Sequence, residues 1–190
     1  MLINKLAQFL YEVGSLRKIA RSHRQSFMTD DLSDNISSHS YRVSVIGYFL
    51  AQKEQAEVDK VLTMCLFHDV GETRSGDQNW VHKKYVKVFD DEILTDQLEG
   101  LPQGHDLLTL MHEYGKRDSL EAKITKDADL LDQMLLVKEY AMRGNKEAER
   151  WAKSYKPDIF SCLSAKELYQ QIMQTDPGDW WKKLYTDKRR

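Results

Sequence analysis

The chain has 190 residues, 41% of them hydrophobic and 31% charged, with a formal net charge of −2. That length and balance fit one compact domain with a sizeable core and exclude a low-complexity or disordered chain. The near-neutral charge excludes a global pull toward a nucleic acid polymer or a membrane surface, and no run of about 18 apolar residues is present to span a bilayer.

From the N-terminus, Leu2, Leu6, Phe9, Leu10 and Val13 form one helical stripe. This opening is amphipathic rather than signal-like. Two cysteines, Cys65 and Cys162, fall in no metal or redox spacing, so a reducing cytoplasmic location is expected. Residues 21–35 show no helical pattern. Ser37-Ser38 can cap a helix continued by Val43, Ile46 and Leu50. Val58, Val61, Leu62, Cys65 and Leu66 make the next stripe, with Cys65 as a small buried hydrophobe. After a second patternless stretch, 69–79, helices are predicted over 80–97 and 105–114.

The stretch 119–143 carries two neighbouring stripes, one through Leu120, Ile124, Ala128, Leu131 and Leu135, the other through Leu130, Met134, Val137 and Ala141. So wide an apolar arc predicts a central helix contacted on several sides, stopped by Gly144-Asn145. Helices over 146–154, 164–174 and 179–185 follow. In the last of these, Trp180-Trp181 reads as a latch, one indole packing and the other covering a groove or a subunit, and Lys188-Arg189-Arg190 as a solvated end. The expected fold is all-α, a single domain over 1–190, with the C-terminal helices 146–190 packing on the core.

His68-Asp69 ends an apolar helix just before Val70-Gly71, where a glycine lets the chain turn. An aspartate there opposes the helix dipole, and a bound cation would compensate it. His39 shares a face with Val43, Ile46 and Leu50 and points inward. Taken alone, it is equally read as a core histidine satisfied by one hydrogen bond. Asp129 sits among Ala128, Leu130 and Leu131 on the central helix, where an unpaired carboxylate is costly. Asp127 and Asp132 are its rivals, and Asp132 could equally support the site or face water. Two imidazoles and two carboxylates suit Mn²⁺, Co²⁺, Fe²⁺, Ni²⁺ or Zn²⁺, with Mg²⁺ a further candidate. Such an ion lowers the pKa of bound water and offsets phosphoryl charge.

The order His39…His68-Asp69…Asp129 in a helical chain resembles the HD-domain metal-dependent phosphohydrolases. The segments 35–42, 67–72, Gly76-Asp77, 126–129 and Glu139-Tyr140 resemble that family's 5′-deoxynucleotidase branch, over about residues 5–145. The resemblance implies a helical bundle around a central divalent metal held by His39, His68, Asp69 and Asp129. It makes Glu72 and Asp77 the acid–base and water-orienting carboxylates. It makes Arg21, in Leu16-Arg17-Lys18-Ile19-Ala20-Arg21, the phosphate-binding arginine, with Arg24 a close rival. The implied activity releases phosphate from (deoxy)nucleoside 5′-monophosphates, and a homodimer is a further family expectation. The alternatives are another phosphohydrolase reaction, on a nucleoside triphosphate, cyclic nucleotide or guanosine polyphosphate, and a non-catalytic nucleotide-binding protein.

Two departures stand out. Many relatives place a proline soon after Gly-Asp, whereas this chain reads Gln78-Asn79-Trp80-Val81-His82-Lys83-Lys84, leaving the substrate-side rim open. Ser38 stands where many relatives have an acidic residue. His105 and His112, seven apart, are candidates for a second metal, as in some HD phosphodiesterases, although His112-Glu113-Tyr114 resembles the nucleotidase branch, where this stretch holds no ligand.

Overall fold

A computed structural model describes residues 2–182 and 184. Helices follow one another as α1 (Leu2–Val13), α2 (His23–Phe27), α3 (Ile36–Glu54), α4 (Val58–Phe67), α5 (Glu72–Ser75) and α6 (Trp80–Tyr85). After these come α7 (Asp90–Leu98), α8 (Gly104–Lys116), α9 (Leu120–Met142), α10 (Lys146–Ser154), α11 (Leu163–Gln174) and α12 (Asp179–Lys182). Short 3₁₀ turns span Gly14–Lys18 and Pro157–Ile159. Among the described residues the only β pairing is an isolated bridge between Ala20 and Asn35.

Helix α9 is the axis: α3, α4, α8, α10 and α11 all pack against it. Its buried residues include Ile124, Ala128, Leu131, Met134 and Val137, so both predicted stripes are used. The first four meet Val43 and Leu50 of α3 and Val61 and Cys65 of α4, in one cluster with Phe160, Ala165 and Tyr169. Gly47 lets α3 and α4 approach, because a Cβ there would lie 2.6 Å from Cys65 Sγ. Burial pushes the Cys65 thiol up to about 12, as expected of an inert core cysteine. A second cluster, Phe27, Val137, Tyr140 and Ala148, docks α2 and α10 on the later half of α9.

The structure corrects several sequence expectations. The cap of α3 is Asn35, not Ser37-Ser38: its backbone is extended and its side chain accepts from Ser38 N at 3.1 Å. Gly71 has φ −60°, so the chain turns after Asp69 without a left-handed residue. Gly76 (φ +68°) and Gly144 (φ +86°) do adopt one, the latter at the predicted stop of α9. The single helix expected over 80–97 is two, α6 and α7, separated by four residues, Val86 to Phe89. Each patternless stretch contains a short helix, α2 and α5. Trp180 is 75% exposed and Trp181 42%, so neither indole of the expected latch is buried. The end of the helix predicted to reach Tyr185, and Lys188-Arg189-Arg190, lie outside the described residues. None of the described helices is long and apolar enough to cross a membrane.

Candidate metal centre

Four side chains from three places in the chain converge beside α9. His39 comes from the first turns of α3, His68 from the C-terminal end of α4, Asp69 from the turn after it, and Asp129 from the middle of α9. His39 Nε2 lies 3.3 Å from His68 Nε2, 3.2 Å from Asp129 Oδ1 and 3.4 Å from Asp69 Oδ2. His68 Nε2 is 3.2 Å from the same Asp69 oxygen. One donor atom each from His39, His68 and Asp129 falls within 4.8 Å of the others, the only such His/Cys/Asp/Glu grouping among the described residues.

The outer ring nitrogens decide what these donors can hold. His68 Nδ1–H donates to the Cys65 carbonyl at 2.8 Å, and His39 Nδ1–H donates to Asp132 Oδ2 at 2.6 Å. Both Nε2 atoms are therefore left as lone pairs, aimed at each other and at two carboxylates. Acceptors this close repel unless a cation lies between them, so the donor set fits a divalent ion. Without one, a proton takes the place. Burial depresses the His39 imidazolium, but Asp129, Asp132 and Asp69 outweigh it and raise His39 well above the ordinary histidine value. Metal uptake must then release that proton.

Asp132 is the supporting acid rather than a solvated one. Its second oxygen accepts from Arg42 Nε, and Arg42 Nη1 also donates to Glu139 Oε1 at 2.7 Å. Arg42 and Glu139, part of the family-like segments, thus pin the carboxylate that aims His39 at the centre. Partners of this kind are worth about 10–100-fold in metal affinity. We expect Asp132→Asn to weaken binding of Mn²⁺ or Zn²⁺ by that factor, measured by calorimetry, with His39 still buried. An unchanged affinity would rule this out. Asp127 has another task, accepting from Ser161 N at 2.9 Å and Cys162 N at 2.7 Å and so holding the segment before α11.

A cleft of about 780 Å³ opens over the centre and is lined by Arg21, Glu72 and Asp77 as well as His68, Asp69 and Asp129. Arg21 is 8% exposed, with Nη1 3.6 Å from Asp69 Oδ2 and Nε 3.5 Å from Asp77 Oδ2. Burial disfavours its charge, but Asp69, Asp77, Asp129 and Glu72 outweigh that cost. Asp77 Oδ2 also accepts from Ser22 N at 2.7 Å, tying the arginine loop to the loop after α5. Arg24 is not among the residues lining the cleft. Glu72 has a buried oxygen, Oε2, with no hydrogen-bond partner. Burial first, then Asp69 and Asp77, pushes its carboxyl up to about 9.

The cleft also contains residues that sequence reasoning passed over. Lys126 Nζ sits 2.7 Å from Asp129 Oδ2, so one oxygen of Asp129 faces the centre and the other a cation. Arg117 stacks on Tyr114, its guanidinium carbon 3.2 Å from the ring centroid. His23 accepts from Arg21 Nη2 at 3.3 Å; burial, reinforced by Arg21, pushes it down to about 4. Lys126, Leu130 and Gln133 recur on one face of α9 with Asp129, a spacing readable in the sequence. Nothing in the sequence marks His23. Of the rim lysines, Lys83 lines the cleft and Lys84 lies over Tyr85 instead. His105 and His112 do not line the cleft, and His112 Nε2 is 3.4 Å from Asp91 Oδ1.

Known proteins share this arrangement of chain. Over 124 residues the chain is 31% identical to a 5′-deoxynucleotidase HDDC2 of Dictyostelium discoideum, covering 58% of this chain but only 64% of that protein. A conserved hypothetical protein from Pyrococcus furiosus has the same fold at a TM-score of 0.76, with 24% identity over 89% of this chain and 99% of that one. The cyanophage S-2L HD phosphohydrolase DatZ, solved with dA and one catalytic Zn²⁺ ion, matches at a TM-score of 0.52 and 17% identity, covering 87% and 96% of the two chains. The HD domain family pattern matches residues 13–160, and the chain belongs to that family.

Proposed function

We propose that this protein is a metal-dependent phosphomonoesterase that releases phosphate from (deoxy)nucleoside 5′-monophosphates, with one divalent ion held by His39, His68, Asp69 and Asp129. The observation that carries this reading is one cleft in which His68, Asp69 and Asp129 meet a buried arginine and a Glu72 oxygen without a partner, with His39 Nε2 within 3.4 Å of all three donors. The 5′-deoxynucleotidase name of the Dictyostelium relative and the dA and Zn²⁺ of DatZ support the substrate class and the kind of ion.

A divalent ion at this site supplies Lewis acidity and a water of lowered pKa. The chain's own groups do the rest. Arg21, held between Asp69 and Asp77, offers a planar fork to the phosphoryl oxygens. Asp77 keeps that fork in register by gripping both Arg21 Nε and Ser22 N. Glu72 Oε2, free of internal partners, moves the proton: the raised carboxyl gives one to the leaving O5′ and regains one from the attacking water. As water adds to phosphorus the P–O5′ bond breaks, and the nucleoside leaves with that proton.

The test is a phosphate-release screen of deoxy- and ribonucleoside 5′-monophosphates across Mn²⁺, Co²⁺, Fe²⁺, Ni²⁺, Zn²⁺ and Mg²⁺. Free phosphate and nucleoside in equal amounts are expected. Protein that demonstrably binds the ion yet releases no phosphate from any nucleotide would overturn the reading.

A further inference from the structure

One stretch of the cleft's rim, Asn79 to Lys83, is built unlike an ordinary surface loop. Trp80, the first residue of α6, is 68% exposed and lines the same cleft as Asp129. A large indole left in water is costly, yet this one is held firmly. The Asn79 side chain accepts from Val81 N and His82 N, both at 3.0 Å, and His82 Nδ1 accepts in return from Asn79 N at 3.3 Å, a complete capping box. Asn79 Nδ2 also donates to Gln25 Oε1 at 2.7 Å, anchoring α6 to α2. From behind, Trp151 of α10 backs the indole at a 5.5 Å centroid distance and a 47° tilt, and Tyr155 continues the aromatic wall at 6.4 Å from Trp151.

The cleft has a direction. Lys126 and Asp129 mark its charged end along α9. Gln133, one turn further, donates from Nε2 to the Tyr155 hydroxyl at 3.1 Å. The four residues from Asp129 to Gln133 rise about 6 Å along the helix, the scale of a sugar ring between a phosphate and its base. A nucleotide whose phosphate meets the Asp129 end and whose sugar runs along α9 brings its base toward Gln133 and Tyr155, which line the cleft together with Trp80.

We propose that Trp80, backed by Trp151 and beside the Tyr155–Gln133 pair, is the platform on which the nucleobase of the substrate stacks, giving this chain its grip on nucleotides over simple sugar phosphates. The proposal rests on the nucleotide reading of the same cleft. Stacking on an aromatic face is tolerant of base identity, so the platform selects for the presence of a base rather than for one base. Lys83, three residues on and also lining the cleft, shares the Trp80 face of α6.

The experiment compares the dissociation constants of a non-hydrolysable phosphonate analogue of a deoxynucleoside 5′-monophosphate and of the matching deoxyribose 5-phosphonate, by calorimetry on metal-loaded protein, for wild type, Trp80→Ala and Trp80→Phe. The expected result is about tenfold weaker binding of the nucleotide analogue in the alanine variant, unchanged sugar-phosphonate binding, and recovery in the phenylalanine variant. The exposed position keeps the fold intact, which circular dichroism verifies. Equal losses for both ligands, no loss for either, or a change of oligomeric state as the sole effect would overturn the proposal. So would equal wild-type affinity for the two ligands. Binding is read without turnover, so wild-type protein that binds the nucleotide analogue but releases no phosphate from any nucleotide would sink the proposed hydrolysis and leave the platform standing.

Discussion

Asp129→Asn is expected to lower metal-dependent phosphate release by about 10³-fold or more, with loss of the bound ion on elemental analysis. Asp129 is the only one of the four proposed ligands that α9 contributes, and α9 is the most heavily packed helix, so no neighbouring carboxylate can swing in. Asp127 is committed to Ser161 N and Cys162 N, and Asp132 to His39 and Arg42. Lewis acid stabilisation of phosphoryl charge is worth several kcal/mol, each 1.4 of them about tenfold in rate. The amide keeps the volume of Asp129, and the metal-free protein should remain folded. Its melting temperature serves as the control. Full activity with the ion retained would remove Asp129 from the ligand set.

Glu72→Gln separates chemistry from metal binding. Loss of a general acid–base group costs about 10²–10⁴ in kcat, whereas the ion's affinity should change little. The variant should also gain stability without metal. The Glu72 carboxyl is pushed up to about 9 by burial and by Asp69 and Asp77, above its unfolded value. Between the unfolded carboxylate range and about pH 9 the folded state therefore holds a proton that the unfolded state does not. This contribution is fully favourable at low pH and is lost as pH rises through 9. The glutamine variant lacks that slope, so metal-free Glu72→Gln should outlast the wild type most clearly at pH 8–9 in a denaturant titration. A residue whose replacement stabilises the fold and stops the reaction is held in place for function. Equal kcat in variant and wild type would end its catalytic assignment.

Much of the frame was legible because it rests on period. The double stripe of 119–143 could only belong to a helix buried on several sides, and α9 is that helix. Gly144 announced its end, and the spacing of His39 from Val43 turned the imidazole inward. The four proposed ligands emerged from their order in the chain, since each alone had an ordinary explanation. Other features depended on tertiary context. The break between α6 and α7 contains no glycine or proline. It falls in Val86-Lys87-Val88-Phe89, a β-branched and aromatic run that resists helix, followed by Asp90-Asp91-Glu92 in the first turn of α7. Asn35 outcompetes two serines as a cap through its extended backbone, which is paired with distant Ala20. Whether Asp132 faced water or His39 could not be read from the spacing along α9, because its deciding partners, His39 and Arg42, belong to α3 and only packing brings them there.

The bond between Ser22 N and Asp77 Oδ2 gives the protein a built-in gauge. That amide can exchange its hydrogen with solvent only when the arginine loop parts from the loop after α5, so its protection factor measures how much of the time the Arg21 fork, the proposed phosphate grip, is in register. A slow Ser22 amide would mean that Arg21 is already set before any nucleotide arrives. A fast one that slows on adding phosphate would mean that the ligand itself completes the cleft.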